Sequence, residues 1–153
     1  MAGIDACERA LKLSPDLFET AFVMACLGKA YSEAGDVSRA VATLEQATQL
    51  ADQVRSRQWR AYFRTWLGEA YFLDNQLDQA QDVLDQTLAV CTDLKYAVGI
   101  GWCHHLLGRV SQARGELSAA QHHLDEAVKI FRLLGAKFEL ARTEMDPENW
   151  TLL

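Results

Sequence analysis

The sequence predicts an all-α protein, a right-handed superhelical solenoid of antiparallel helix pairs with about three full repeats and a partial repeat at each end. The main observation is a 40-residue period, because such self-similarity is typical of stacked supersecondary units. Within each period, apolar residues recur at helical spacing and a turn signal falls in the middle. The repeated residues are Leu27-Gly28, Leu67-Gly68 and Leu107-Gly108, then Ala40, Ala80 and Ala120, then Leu44, Leu84 and Leu124.

Turn residues divide the chain into eight predicted helices. From Leu17 to about Ala34 the apolar residues form one helical face, and Gly35-Asp36 follows. Glycine takes the left-handed conformation after a helix, and aspartate caps the next helix. Asn75-Gln76 and Gly115-Glu116 occupy the same place in the later copies. The helices are predicted near residues 2–13, 17–34, 37–54, 57–74, 77–94, 97–114, 117–134 and 137–146.

The predicted array is one domain over residues 1–146, with a C-terminal tail at 147–153. Ser14-Pro15-Asp16 closes the first partial repeat and Asp146-Pro147 ends the last helix, since proline suits a helix start and disfavours helix in the residue before it. The full repeats are 17–56, 57–96 and 97–136, and the partial repeats are 1–16 and 137–146. A terminal helix with an uncovered apolar face needs a cap, a partner or a longer chain, so we expect a segment of a larger protein. Two alternatives stay open for the apolar tail: it docks on the 137–146 helix or in a neighbouring molecule's groove, or it is a frayed terminus.

Three glycines lie in the middle of predicted helices, where glycine is about 1 kcal/mol less favourable than alanine. These are Gly28, Gly68 and Gly108. We interpret them as sites of close helix crossing, where small residues on the partner helices let the two backbones approach. The expected partners are Ala40, Ala80 and Ala120.

The repeated residues resemble the tetratricopeptide repeat (TPR) family, whose pattern is a large apolar residue, Leu-Gly, Tyr and later Ala-x3-Phe. The first copy has Met24, Leu27-Gly28, Tyr31, Ala40 and Leu44. The second keeps Leu67-Gly68 and Tyr71 with Arg64 at the apolar position, and the third keeps Leu107-Gly108 with His104 and Ser111 at the aromatic positions. The resemblance covers roughly residues 17–146. Forty-residue repeats resemble the longer-helix subclass of polarity scaffolds, kinesin light chains and bacterial signalling ATPases.

The resemblance implies a concave groove lined by the first helix of each pair. Aromatic residues at one repeat position, beside charged residues, are consistent with a peptide groove. The alternative is that these rings pack between adjacent first helices and hold the array together. The implied groove positions are Phe22, Ala25, Lys29, Ser32, Tyr62, Thr65, Glu69, Phe72, Trp102, His105, Arg109, Gln112, Phe138 and Arg142.

Composition excludes several classes of function. A net charge of −6 and a pI near 5.1 argue against nucleic-acid binding, which favours a basic surface. No apolar run approaches the roughly 20 residues of a membrane span, so we expect no membrane partner and a cytoplasmic protein. The four cysteines have no short pair spacing and are expected to be buried, reduced thiols.

No metal, cofactor or catalytic site is predicted. Adjacent histidines on a helix point about 100° apart, so neither His104-His105 nor His122-His123 chelates a metal by itself. We interpret His104 as a substitute for a core residue, with His122 and His123 near solvent. Paired carboxylates occur on solvated helix faces, and no nucleophile motif or phosphate-binding loop is present. The protein is therefore not expected to be an enzyme.

Two functional hypotheses remain. The first is a protein–protein interaction module that binds a partner peptide or helix in the concave groove. The second is a self-associating or signal-transmitting segment of a larger ATPase-type or transcription-regulator protein, with homo-oligomers formed through the terminal helices. A chaperone-type carboxylate clamp requires asparagine, and the only asparagines are Asn75 in a turn and Asn149 in the tail. Since Glu69 accompanies Lys29 and Arg109, we expect a mixed-charge peptide.

Overall fold

A computed structural model of the chain describes residues 2–13, 16–54 and 56–144, and these residues form eight α-helices and no strand. The predicted all-α helical repeat fold is confirmed: the first helix lies within two residues of its expected bounds, the next six lie within one residue, and the eighth begins at the expected residue. Residues 145–153, which include the end of the last predicted helix and the tail, lie outside the described residues. The helices are α1 (Ala2–Leu11), α2 (Leu17–Glu33), α3 (Val37–Gln53), α4 (Arg57–Leu73), α5 (Leu77–Asp93), α6 (Ala97–Ala113), α7 (Leu117–Leu134) and α8 (Lys137–Glu144).

Each helix packs against the next one along the chain, and the largest contacts join α2 to α3, α4 to α5, and α6 to α7. These pairs are the helical hairpins that the sequence predicts. The first helices also touch one another directly, since α4 contacts both α2 and α6. A continuous face of first helices therefore exists, and this face is where the candidate site lies.

The turns use the predicted left-handed residues. Gly35, Asn75 and Gly115 have φ values of +79°, +58° and +77°. Asp36 caps α3 by accepting a 3.2 Å hydrogen bond from the backbone N–H of Arg39, as predicted. The turn between α5 and α6 places Lys95 at φ +53°, although lysine carries no signal for this conformation.

The three mid-helix glycines do mark close crossings, but the group that packs on each glycine differs from the prediction. A Cβ atom on Gly68 would lie 2.6 Å from the Leu84 side chain, and one on Gly28 would lie 2.5 Å from Leu44. Gly108 faces Leu124 in the same way. The leucine four residues after each repeat alanine thus occupies the space that glycine leaves, and the alanines are not the first contact.

Tyr31 and Tyr71, at equivalent repeat positions, connect each hairpin to the preceding helix. The Tyr31 hydroxyl donates a hydrogen bond to Glu8 at 3.2 Å, and the Tyr71 hydroxyl donates one to Glu45 at 2.7 Å. Burial and the Glu45 carboxylate raise the pKa of Tyr71 to about 12. The phenol therefore stays protonated and keeps this donor role at any physiological pH.

Two expectations about side-chain placement need correction. His123 does not lie near solvent, because it is half-buried and its Nδ1 atom is 3.0 Å from Nδ1 of His104. All four cysteines are free thiols, but only Cys91 and Cys103 are buried, and the other two are half-buried.

No helix in residues 2–13, 16–54 and 56–144 combines the length and apolar character needed to cross a membrane. Across those same ranges, no group of three or more histidine, cysteine or acidic residues is arranged to hold a metal ion.

Substituting Gly68 by alanine should destabilise the protein by about 1–3 kcal/mol, because the added methyl group overpacks the crossing against the fully buried Leu84. Chemical denaturation measures the effect. Gly3→Ala is the matched control, since nothing lies within 4 Å of its Cβ position and alanine is the better helix former. Equal midpoints for Gly68→Ala and Gly3→Ala would contradict the close crossing.

Candidate functional site

A cleft of about 170 Å³ opens on the face of the first helices. The side chains that line it come from α2, α4, α6 and α8 and from the residue preceding α6. No second helix of a pair contributes. We call this the cleft, and its lining residues are Lys29, Tyr62, Thr65, Trp66, Glu69, Tyr96, Gly99, Trp102, Leu106, Glu139 and Arg142.

A charged network crosses the cleft. The Glu69 carboxylate lies 2.8 Å from the Lys29 ammonium and 3.7 Å from the Arg142 guanidinium, so three first helices meet at one side chain. Glu69 is only 9% exposed, and a carboxylate this buried requires such partners. The Arg142 guanidinium lies 4.9 Å from the centre of the Trp102 ring, which adds a cation–π contact. These contacts therefore position the charged side chains at one end of the cleft.

His105 connects α6 to α8 beneath this network. Its Nδ1 atom lies 3.1 Å from the Thr143 hydroxyl, which donates its proton to the Glu139 carbonyl at 2.8 Å. The hydroxyl is then an acceptor for His105, so Nδ1 carries the imidazole proton. Burial, with the nearby charges of Arg109 and Arg142, lowers the pKa of His105 to about 3. The imidazole is therefore neutral at physiological pH.

Tyr96 folds into the cleft because residue 99 is glycine. A Cβ atom on Gly99 would lie 2.5 Å from the Tyr96 ring and 2.6 Å from the Cys91 sulfur. Cys91 is fully buried and Tyr96 is half-buried, and this burial raises the pKa of the Tyr96 phenol. Glycine at this position allows the ring to form one wall of the cleft.

A second cavity of about 330 Å³ adjoins the cleft and shares three rings with it. The Phe22 and Trp59 rings meet edge to face with centroids 5.4 Å apart, and those of Tyr62 and Trp66 are 4.6 Å apart. We call this cavity the aromatic pocket. Its lining residues are Phe22, Gln58, Trp59, Tyr62, Trp66 and Tyr96.

The structure brings about half of the predicted groove residues together. Phe22 lines the aromatic pocket, where its contacts with Trp59 and Phe63 of α4 also agree with the interpretation that such rings pack between first helices. The predicted residues that line the cleft are Lys29, Tyr62, Thr65, Glu69, Trp102 and Arg142.

The other predicted groove residues lie around the cleft without lining it. His105 is buried. The centre of the Phe72 ring lies 4.5 Å from the Arg109 guanidinium, and the Ser32 hydroxyl donates a 3.3 Å hydrogen bond to the Gly28 carbonyl. The last three differ in how far they are buried. Ala25 is fully buried, Gln112 is half-buried, and Phe138 is largely exposed.

Several lining residues were not predicted from the sequence. Trp59 and Trp66 lie three before and four after Tyr62 on the same helix face, so helical spacing was an available signal for them. Tyr96 carried no such signal because it precedes α6 and enters the cleft only through the Gly99 contact. Glu139 required the packing of α8, which no single-helix pattern shows.

Comparison with known proteins identifies the family. Residues 2–144 match the model of the MalT-like TPR region. The chain belongs to this family. Membership in the MalT-like TPR region confirms the predicted tetratricopeptide resemblance, and the match covers all the helices described above.

The individual proteins that resemble this MalT-like chain share little sequence identity with it. It is 26% identical over 107 residues to human tetratricopeptide repeat protein 29, covering 70% of this chain and 22% of that protein. The structure of Bacillus thuringiensis PlcR, solved with the peptide PapR7 and DNA, matches with a TM-score of 0.85 at 13% identity, over 94% of this chain and 53% of that one. The chain thus spans between a fifth and about half of these two proteins.

A third relative is the repeat array of a Podosopora anserina protein described as a kinesin light chain, with nearly identical TPR-like repeats. Its TM-score is 0.65 at 22% identity, and the match covers 92% of this chain and 75% of that one. At these identities the two solved structures show the fold alone.

Replacing Glu69 by glutamine should destabilise this MalT-like repeat array by roughly 1–3 kcal/mol, because the half-buried Lys29 and Arg142 lose the buried carboxylate that lies between them. Urea denaturation measures the change. Asp93→Asn is the control, since the Arg57–Asp93 pair is exposed and is worth about 0–1 kcal/mol. A Glu69→Gln effect no larger than that of the control would show that the network is not stabilising.

Stability should also depend on pH through His105. The unfolded histidine binds a proton near pH 6.5 and the folded one only near pH 3, so stability is present above pH 6.5 and falls as the pH drops below it. The expected loss is about 2 kcal/mol between pH 7 and pH 5.

Denaturant midpoints measured across this pH range test the expectation for His105. The His105→Gln variant should show a flatter profile than the unmodified protein, whereas Gln46→Ala, which replaces an exposed side chain that does not titrate, should leave the slope unchanged. An equal slope in all three proteins would contradict a buried, neutral His105.

Proposed function

We propose that the protein is a non-catalytic interaction module whose cleft binds an extended or helical peptide segment of a partner protein. The observation that carries this proposal is the continuity of the charged cleft with the aromatic pocket through Tyr62, Trp66 and Tyr96. Together they offer apolar area and charged groups on one face of rigid helices, which is what peptide recognition requires.

The chemistry of the lining favours a peptide over a small metabolite. Rings with few rotatable bonds provide contact area with little loss of entropy on binding. The charged residues alternate in sign, with Lys29 and Arg142 against Glu69 and Glu139. A partner that carries both signs of charge, or neutral polar main-chain groups, is complementary to such a lining, whereas a purely acidic one is not.

The comparisons support this proposal at the level of the fold. PlcR, which shares the fold, was solved in complex with a peptide and with DNA. We carry over the peptide and not the DNA, because a chain with a net charge of −6 is a poor match for a phosphate backbone.

A second candidate function is a signal-transmitting or self-associating segment of a larger regulator. Its support is that the chain spans only 53% of PlcR and 22% of tetratricopeptide repeat protein 29. Exposed apolar side chains at the end of the array, Leu133 and Phe138, would favour association of two copies through this end. In this case the cleft could still bind a peptide that sets the state of the larger protein.

The test is selection of displayed random peptides against the full chain, followed by calorimetry. We expect peptides of micromolar affinity, and we expect the Tyr62→Ala, Trp102→Ala double variant to bind them about tenfold or more weakly. Leu117→Ala is the control, because Leu117 is 74% exposed on α7, away from the cleft. Circular dichroism checks that every variant is folded.

Each of the two proposals has outcomes that would contradict it. If no selected peptide binds, or if the double variant binds as tightly as Leu117→Ala, the peptide-binding cleft is wrong. Sedimentation of the same samples tests the second candidate, since a mass that stays monomeric at all concentrations would contradict self-association.

A further inference from the structure

The aromatic pocket has a lining unlike that of the rest of the cleft. Five of its six lining residues are aromatic and the sixth, Gln58, is neutral. Every charged residue that lines the adjoining cleft, Lys29, Glu69, Glu139 and Arg142, is absent from the pocket lining. The boundary between the two cavities is therefore a boundary between a charged and an uncharged binding surface.

The rings of the pocket are held in position before any ligand arrives. The Trp59 ring meets the rings of Phe22 and Tyr62 edge to face, with centroids 5.4 Å and 5.8 Å apart. The centroids of the Tyr62 and Trp66 rings are 4.6 Å apart. Tyr96 closes the pocket because Gly99 leaves room for its ring. A cavity with fixed walls binds a matching group without the entropy loss of ordering them.

The surroundings of the pocket disfavour a charged ligand group. Tyr62 and Tyr96 are half-buried, and this burial raises the pKa of both phenols, so neither ring carries a charge that could balance a cation. A buried cation would need a carboxylate, and Glu69 in the adjoining cleft is already 2.8 Å from the Lys29 ammonium. Ring faces attract a cation, but no carboxylate lines the pocket to balance its charge.

The size of the cavity sets a lower limit on the group that fills it. About 330 Å³ is open between the rings, which is more space than a methyl or a hydroxyl group can occupy. The lining is mostly apolar, so water over the rings forms few hydrogen bonds, and an apolar group that displaces it gains affinity.

We propose that the aromatic pocket takes one bulky neutral side chain, aromatic or branched aliphatic, from the peptide bound in the cleft. This inference rests on the proposed peptide-binding function and names the anchor residue of its ligand. The main chain and polar neighbours of the anchor then extend over Tyr62, Trp66 and Tyr96 into the charged cleft, because those rings border both cavities.

The first test uses small probes and the indole N–H signals of Trp59 and Trp66 in NMR spectra, assigned by single Trp→Phe substitutions. N-acetylphenylalaninamide represents the neutral side chain, and tetramethylammonium chloride represents a cation. We expect the amide to shift both indole signals at millimolar concentration and the cation to leave them in place. Shifts caused by the cation and not by the amide would overturn the proposal.

Gln58 allows a test of charge that does not disturb the rings, because this residue is exposed at the edge of the pocket. Gln58→Glu and Gln58→Lys should bind the neutral amide within about twofold of each other, since a neutral group has no net Coulomb energy with either charge. Gln46→Glu and Gln46→Lys, exposed on α3, are the matched controls. A Glu variant at position 58 that binds selected peptides about tenfold more tightly than the Lys variant would indicate a cationic anchor and overturn the proposal.

The third test separates this inference from the proposed function. Peptides from the selection are scanned with alanine, and one bulky apolar residue should lower the affinity about tenfold when replaced and abolish the Trp59 shift. If peptides bind the cleft but no apolar residue matters and Trp59 does not respond, the anchor is wrong and the peptide-binding function stands. If no peptide binds, the function itself fails and the anchor with it.

Discussion

Close approach within each helix pair is the constraint on which the rest of the structure depends. Gly28, Gly68 and Gly108 leave space on one helix, and a leucine of the partner helix fills it. A side chain on the glycine would meet the leucine at well under van der Waals distance, so the pair must either separate or repack. Because this contact recurs every 40 residues, the hairpins share one geometry.

A shared hairpin geometry aligns the first helices, and this alignment creates the site. Side chains about one repeat apart then meet across neighbouring helices, as Lys29 meets Glu69 and His105 meets Thr143. Such contacts depend on register, because a rotation of one hairpin would move the carboxylate away from the ammonium. The buried network at the cleft is therefore a consequence of the crossings and also reinforces them.

The division of the site into a charged cleft and an aromatic pocket also follows from packing. Charged groups lie where α2, α4 and α8 converge, so that Glu69 is balanced by Lys29 and Arg142 from neighbouring helices. Rings gather where α2 meets the start of α4, and apolar burial there does not need any counter-charge. One surface thus presents two kinds of chemistry that a peptide can contact with neighbouring residues.

The local pattern of the sequence by itself determined the eight helices of the described residues, the bounds of α2 to α7 to within one residue, the turns at Gly35 and Asn75, and the family. These features depend on helical periodicity and on backbone conformations that only a few residues adopt. Tertiary structure decided which side chain fills the space at Gly68, that His105 is buried, and that Tyr96 enters the cleft. The physical reason is that burial and cross-helix distances depend on residues from several helices at once, which the pattern within one helix does not contain.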